Sequence, residues 1–147
     1  MLRPALLASA LLLAAPAMAE APVTRTVEGT WADVVWDIEN AITGAGLVID
    51  SVNHVGDMLE RTREDVGGGK TLFTHAQVFG FCSAVVSREV MEADPMNLAY
   101  CPYRIFLMET PDAPGAITVG RPAYPEGAMD AVNALLDSII EDAVGMY

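Results

Sequence analysis

The segment from Leu72 to Cys82, with the sequence LFTHAQVFGFC, decides the fold of this chain. Large apolar residues recur at every second position, which is the period of an extended strand with one buried face. One face of this strand would carry Phe73, His75, Gln77, Phe79 and Phe81. The other face would carry Leu72, Thr74, Ala76, Val78, Gly80 and Cys82. This is the most strongly patterned strand in the sequence.

Helix and strand patterns alternate on both sides of this segment. Strand patterns cover residues 24–28, 47–52, 103–110 and 116–121, and helix patterns cover 31–45, 57–66, 83–94 and the stretch from Glu126. The sequence PDAPG at 111–115 predicts a turn, because its prolines fix φ and its glycine accepts positive φ. We therefore predict a single-domain α+β fold, with a mainly antiparallel sheet and with the first and last long helices packed on one face.

Residues 1–19 have the pattern of an export signal. Arg3 gives a positive start, residues 6–15 are almost entirely apolar, and Ala17-Met18-Ala19 is a small-x-small cleavage sequence. We predict cleavage before Glu20, so that residues 20–147 form the exported domain. No later segment approaches the ~20 apolar residues of a membrane-spanning helix. The sequence therefore predicts a bacterial periplasmic protein, with no membrane insertion after cleavage.

The exported part is strongly acidic. The 8 Lys and Arg residues include Arg3, so residues 20–147 carry 7 cations against 20 carboxylates, a net charge of −13. Such a surface repels phosphate backbones, so we predict no nucleic-acid partner. The charge favours basic proteins or cations as partners, or it serves solubility alone.

Cys82 and Cys101 are the two cysteines of the sequence. An oxidising compartment favours a disulfide between them, and the loop-closure model gives such a bond a stabilisation of about 3 kcal/mol. The alternatives are a redox-active or metal-binding pair and two buried free thiols. The sequence has no Cys-x-x-Cys motif, which argues against a thioredoxin-like oxidoreductase.

Two arginines flank the predicted hairpin, Arg104 beside Tyr103 and Arg121 before Pro122. Both would project near one end of the sheet, where guanidinium groups suit an anion. Salt bridges to the abundant carboxylates are the alternative. With His75, which lies between phenylalanines on the strand face, Tyr103, Arg104 and Arg121 form the candidate ligand or anion site.

No motif assigns a reaction to this chain. A Ser-His-Asp or Cys-His arrangement with recognisable local context is absent from the sequence, so we name no catalytic residue. His54 and His75, with the cysteines or methionines, offer ligand types suited to copper, but their spacing matches no ligand pattern. We therefore predict no cofactor and no metal site, and the sequence gives no support for an enzyme.

Several motifs occur in an order that resembles one protein family. They are FGFCSA at 79–84, EADP at 92–95, CPYRI at 101–105, the stretch 111–119 and the Arg121-Pro122 step. Together they resemble the bacterial domain of unknown function 302 family, in its exported two-cysteine subgroup, over residues 24–147. The resemblance implies a fold of the TATA-binding-protein type, often as a dimer, and a link to sulfur-oxidation or redox genes. It implies no catalytic residue.

Two functions remain open at this point. The first is an exported periplasmic accessory or binding protein, linked by the resemblance to sulfur-compound oxidation and using an open sheet face or a dimer interface. The alternative is a thiol-redox protein, or one that handles copper or a sulfur species, with Cys82, Cys101 and His75. As partners we expect a second copy of the chain, or a basic or redox protein.

Overall fold

The structure, a computed structural model, describes residues 20–145. Its strands are β1 Val23–Glu28, β2 Val48–Asn53, β3 His75–Cys82, β4 Tyr103–Glu109 and β5 Ala116–Arg121. Its helices are α1 Trp31–Gly44, α2 Val55–Thr62, α3 Ala84–Ala93 and α4 Asp130–Val144, and a 3₁₀ segment covers Pro95–Tyr100. The signal peptide predicted for residues 1–19 lies outside the described residues.

The strands form one antiparallel sheet of five strands in the order β1-β5-β4-β3-β2. β4 lies at the centre and pairs with β3 from His75–Glu109 to Phe81–Tyr103. β1 and β2 form the two edges, and the pairing of β2 is irregular between Ile49 and Ser51. The predicted α+β class, single domain and antiparallel sheet are confirmed.

One face of the sheet packs against the long helices. Helix α1 buries Val34, Ile38 and Ile42, which recur every four residues along one stripe of the helix. Helix α4 adds Val132, Leu136, Ile139, Ile140 and Val144 to the same core. The sheet contributes Phe79, Phe81, Tyr103, Ile105, Leu107, Ile117 and Val119. The predicted packing of the first and last long helices on one face is confirmed.

Side-chain caps fix the starts of two helices. Thr30 Oγ1 accepts a hydrogen bond of 3.3 Å from the amide of Asp33 at the start of α1. Ser83 Oγ accepts one of 3.3 Å from the amide of Val86 at the start of α3. Such caps satisfy amides that the first helical turn leaves without partners.

Two predicted element bounds differ from the structure for local reasons. β3 begins at His75 and not at Leu72, because its partner strand β4 ends at Glu109, directly opposite His75. α4 begins at Asp130 and not at position 126, because Gly127 has φ of 88°, outside the helical range.

Two further differences concern the segments beside β3. α2 covers Val55–Thr62 where the sequence pattern predicts 57–66, and its first turn packs on the sheet: a Cβ at Gly56 would lie 2.8 Å from the amide nitrogen of Ala76. The 3₁₀ segment that follows α3 was not predicted. It begins where an Asp94 carboxylate oxygen accepts a hydrogen bond of 2.9 Å from the amide of Met96.

Candidate ligand site on the open sheet face

The two cysteines are bonded to each other, with an S–S distance of 2.06 Å and Cα atoms 6.4 Å apart. Cys82 is the last residue of β3, and Cys101 directly follows the 3₁₀ segment. The bond therefore connects the end of one strand to the connector that leads into the next. Both residues are half-buried. The predicted disulfide is confirmed.

The sheet face opposite α1 and α4 is here called the open face. On β3 and β4 it carries Ala76, Val78, Gly80, Cys82, Arg104, Phe106 and Met108. The neighbouring strands add Thr24, Thr26, Ser51, Asn53, Thr118 and Gly120. The centre of the open face is therefore largely apolar, and its borders are polar.

Arg104 is the positively charged residue of the open face. Its side chain is exposed, and it lies opposite Gly80 in the β3–β4 pairing. Within residues 20–145, no ion pair with a carboxylate includes Arg104. Its guanidinium is therefore available to an anion from solvent.

Arg121 has a different role, because its donors are already used. Its Nε and Nη2 donate to the two carboxylate oxygens of Asp137 at 2.6 and 2.7 Å. Its Nη1 donates to the Asn133 side-chain oxygen at 2.6 Å and to the Pro122 carbonyl at 3.1 Å. Arg121 is 6% exposed and lies on the helix-covered face. Arg121 therefore forms a salt bridge, the alternative to an anion site, and this salt bridge connects β5 to α4.

Tyr103 and His75 also lie on the helix-covered face. Tyr103 is fully buried, and its hydroxyl shares a hydrogen bond of 3.1 Å with Ser87 Oγ. His75 stacks on Trp31 with ring centroids 5.1 Å apart, and its Nε2 lies 3.9 Å from Oε2 of Glu109. The structure therefore brings none of the other three predicted site residues to the exposed side chain of Arg104.

His75 is also remote from the disulfide. His75 and Cys82 are the first and last residues of β3, which puts them about 24 Å apart at ~3.4 Å per residue. They also belong to opposite faces of the sheet, because their positions differ by an odd number. The structure does not bring the cysteines and His75 together as a ligand set.

A groove of about 490 Å³ opens beside Arg104, between the open face and the start of α2. It is lined by Val52, Asn53, His54, Val55, Met58, Val78 and Arg104. Apolar walls, one amide, one imidazole and one guanidinium meet there, which is the usual composition of a small-molecule pocket. We call this the Arg104 groove.

Other concave surfaces are less suited to a ligand. In a groove between β1 and α4, Arg25 already pairs with Glu141 at 2.5 Å. A cleft of about 150 Å³ beside α2 is nearly all apolar, and its Arg63 pairs with Glu60 at 3.1 Å. The Arg104 groove combines a larger volume than these two with a cation that pairs with no carboxylate among the described residues 20–145.

Tyr124 is buried in the core and interacts electrostatically with Arg104. Its ring packs edge-on against Tyr100 at 5.6 Å and against Tyr103 at 6.1 Å. Its hydroxyl is buried and has no hydrogen bond of good geometry with the described residues. Burial raises the pKa of Tyr124, and the nearby Arg104, through its guanidinium and backbone, offsets part of that rise. The charge of Arg104 therefore acts on the Tyr124 hydroxyl.

Sequence reasoning identified Arg104 but missed most of its surroundings. Met58 comes from a predicted helix, Asn53 from the unassigned stretch before it, and Tyr124 from an irregular stretch between β5 and α4 where no periodicity applies. The sequence feature that indicates the site is the face of β3 with Val78 and Gly80, because these small residues leave room for the guanidinium of a neighbouring strand.

Residues 20–145 contain no group of three or more His, Cys, Asp or Glu residues placed to hold a metal ion. Over the same range, none of the helices has the length and apolar character needed to cross a membrane.

The fold and the site define an α+β protein with a five-stranded antiparallel sheet and one face that the long helices leave uncovered. The chain belongs to the family described as domain of unknown function DUF302, whose model matches residues 23–143. The predicted family is confirmed.

Among solved structures, the chain is similar to the crystal structure of an uncharacterized conserved DUF302 protein from Bacillus stearothermophilus. The TM-score is 0.65 at 12% identity, over 83% of this chain and 97% of that one. At this identity the likeness shows the fold alone. No protein of curated function matches the chain.

Proposed function

We propose that this chain is an exported, periplasmic binding protein without catalytic activity, which holds a small organic anion in the Arg104 groove. The proposal rests on one observation, the lack of a carboxylate partner for Arg104 among residues 20–145. In a chain with 20 carboxylates, this one arginine of the open face has no carboxylate partner among residues 20–145. A cation kept unpaired at the mouth of an apolar groove is suited to an anionic ligand.

The chemistry of the groove indicates the form of the ligand. A guanidinium binds a carboxylate or sulfonate through two parallel hydrogen bonds, and hydrogen bonds to charged groups contribute about 1.5–3 kcal/mol. Met58, Val55 and Val78 would cover a short apolar tail, while Asn53 offers a further donor. A compact amphipathic monoanion therefore fits the groove better than a bare inorganic ion.

The link to sulfur-compound oxidation is a separate part of the proposal, supported by the family resemblance. It makes an alkyl sulfonate the expected ligand and a carboxylate the competitor, with sulfate and thiosulfate as bare-ion comparisons. A panel of butyrate, benzoate, butane-1-sulfonate, sulfate and thiosulfate separates the two, because its members differ in head group and in apolar tail.

The test is calorimetric titration of the folded protein with each panel anion. We expect binding of at least one amphipathic anion, and we expect Arg104→Gln to weaken it about tenfold or more. The matched control is Arg61→Gln, which removes an exposed cation at the end of α2, away from the groove lining. Absence of binding across the panel, or equal losses in the two variants, would falsify the proposal.

The location is tested by expressing the full chain in a bacterium and fractionating the cells. We expect the periplasmic product to begin at Glu20 by intact mass. An uncleaved product in the cytoplasm would contradict this part of the proposal and leave the binding measurement unaffected.

A thiol-redox function is the second candidate, and one observation favours it. The Cys82–Cys101 bond lies on the open face, two residues along β3 from the glycine opposite Arg104. Intact-mass analysis of protein titrated with a dithiol tests this candidate. A redox role requires reversible reduction under conditions that keep the protein folded, and a bond that resists reduction until the protein unfolds rules it out.

A further inference from the structure

We infer that the Cys82–Cys101 bond controls the Arg104 groove: the oxidised protein binds the anion, and reduction of the bond weakens binding without unfolding the domain. This inference rests on the proposed anion binding and adds its regulation. A contact along the open face connects the disulfide to the strand pair that carries Arg104, and a pair of tyrosines adds an electrostatic connection.

The first connection runs along the open face. Cys101 is followed by Pro102, which lies over Gly80: a Cβ built on Gly80 would be 3.6 Å from Pro102 Cγ. Gly80 is the residue opposite Arg104. Pro102, which directly follows the bonded Cys101, therefore lies on the open face over the residue paired with Arg104.

The second connection runs through aromatic rings. Tyr100 directly precedes Cys101, and its ring packs edge-on against Tyr124 with centroids 5.6 Å apart. Arg104 lowers the pKa of Tyr124 against the effect of burial, which indicates that the two residues interact. We expect a shift of Tyr100 to move the Tyr124 ring and thereby to change this interaction.

The disulfide is a main tether of the connector that carries these groups. Within the 3₁₀ segment, Met96 is 75% and Leu98 is 64% exposed, so Tyr100 is its main apolar contact with the core. Asn97 anchors its start, donating a hydrogen bond of 2.8 Å to the Val90 carbonyl. The end of the segment, at Tyr100 and Cys101, is fixed to β3 by the disulfide.

The remaining sheet does not depend on the bond. Arg104 and Gly80 stay paired through the β3–β4 ladder, and Tyr103 stays buried against Ser87. We therefore expect reduction to loosen the connector and to leave the backbone of Arg104 in place. The half-buried cysteines are within reach of a small dithiol.

The chemical step is thiol–disulfide exchange with a dithiol such as dithiothreitol. One dithiol thiolate attacks a protein sulfur, and the S–S bond breaks. The second dithiol thiol then closes the reagent's own disulfide. Two electrons and two protons pass to the protein, which gains two cysteine thiols.

The test compares the oxidised and dithiothreitol-reduced protein by calorimetric titration with butane-1-sulfonate, at equal pH and ionic strength. We expect the reduced protein to bind about fivefold more weakly or worse, with recovery after reoxidation. The variant carrying both Cys82→Ser and Cys101→Ser is expected to match the reduced protein. Far-UV circular dichroism monitors the fold in every state.

The outcomes separate this inference from the proposed function. If the oxidised protein binds no panel anion, the proposed function fails. If oxidised and reduced protein bind equally, the anion site stands and its control by the disulfide is rejected. Loss of the circular dichroism signal on reduction also overturns the inference, because the bond would then hold the whole fold.

A further variant, Tyr124→Phe, tests the aromatic connection. It removes only the Tyr124 hydroxyl and keeps the ring contact with Tyr100. We expect a smaller difference in affinity between its oxidised and reduced forms. An unchanged difference would assign the control to the Pro102 contact alone.

Discussion

Arg104 and Gly80 lie directly opposite each other in the β3–β4 pairing, with their shared face turned away from the long helices. Gly80 has no side chain, and Ser51 and Pro102 approach its backbone closely. A Cβ at Gly80 would lie 2.6 Å from Ser51 Oγ and 3.6 Å from Pro102 Cγ. This pairing gives the open face both its cation and the room around it.

The open face has a second glycine whose replacement we predict to be costly. A Cβ at Gly120 would lie 2.5 Å from Cζ of Phe106 and 2.9 Å from Cγ2 of Thr24. Gly120→Ala must therefore displace the Phe106 ring, and we expect a loss of about 1–3 kcal/mol in the free energy of unfolding. Urea denaturation measures it.

Gly69→Ala is the control for this prediction, since nothing lies within 4 Å of the added methyl group. We expect it to be neutral or slightly stabilising. Equal stabilities for the Gly120 and Gly69 variants would show that Phe106 does not lie over Gly120.

The ion pair between Arg121 and Asp137 is predicted to be structural. Asp137→Asn keeps the shape but removes the charge that faces a guanidinium with 7% exposure. We expect a loss of about 1.5–3 kcal/mol in the free energy of unfolding, because hydrogen bonds to charged groups contribute that much. Chemical denaturation at neutral pH is the measurement.

The exposed pair of Arg88 and Glu92 on α3 provides a comparison. For Glu92→Gln we expect a loss of about 0.5 kcal/mol or less, as for other exposed pairs four residues apart on a helix. If both variants lost the same small amount, Arg121 would have no special structural role and would again be available to a ligand.

The disulfide is predicted to contribute about 3 kcal/mol to stability, the loop-closure value for a bond of this span. We expect the variant with Cys82→Ser and Cys101→Ser to remain folded but to unfold at lower denaturant concentration. A loss below about 1 kcal/mol would indicate that the unfolded chain gains little freedom without the bond.

Tyr124 is predicted to make the free energy of unfolding fall at alkaline pH. Burial raises its pKa in the folded state above the ordinary value of 10.0, so the folded protein holds this proton more tightly than the unfolded chain does. The contribution of the protonated Tyr124 to the free energy of unfolding is fully present below pH 10.0. It is lost as the pH rises through the folded-state pKa. Unfolding experiments in a pH series above neutrality detect the loss.

Tyr124→Phe is expected to flatten this alkaline decline, because no proton remains to be lost at position 124. The comparison is made against wild-type protein at each pH, so that other tyrosines cancel. Identical pH profiles would mean that the Tyr124 hydroxyl is accessible to water in the folded state.

The alternation along β3 shows how much a local pattern can predict. Phe79 and Phe81 are fully buried and Val78 is half-buried on the other face, as their spacing requires. The same reasoning identified the helix stripes and the hairpin. It placed the start of β3 too early, because the length of a strand depends on its partner, here on where β4 ends.

The candidate site was harder to predict, and the two arginines show why. Arg104 and Arg121 flank one hairpin and lie near the same end of the sheet, as the sequence suggests. Phe106 pairs with Gly120, so these two residues share a face. Arg104 is two residues from Phe106 and lies on that face, whereas Arg121 is one residue from Gly120 and lies on the opposite face. The sequence alone does not give the register of β4 against β5, so it does not show that the two arginines lie on opposite faces.

The sequence by itself determined the α+β class, the buried face of each major element, the disulfide and the family, because these follow from local periodicity, cysteine number and ordered motifs. Only the tertiary structure decided which charges are neutralised. Arg121 is held by Asp137 from a distant helix, whereas Arg104 forms no ion pair with a carboxylate among residues 20–145. Electrostatic pairing depends on distances across strands and helices, and these distances exist only in the folded chain.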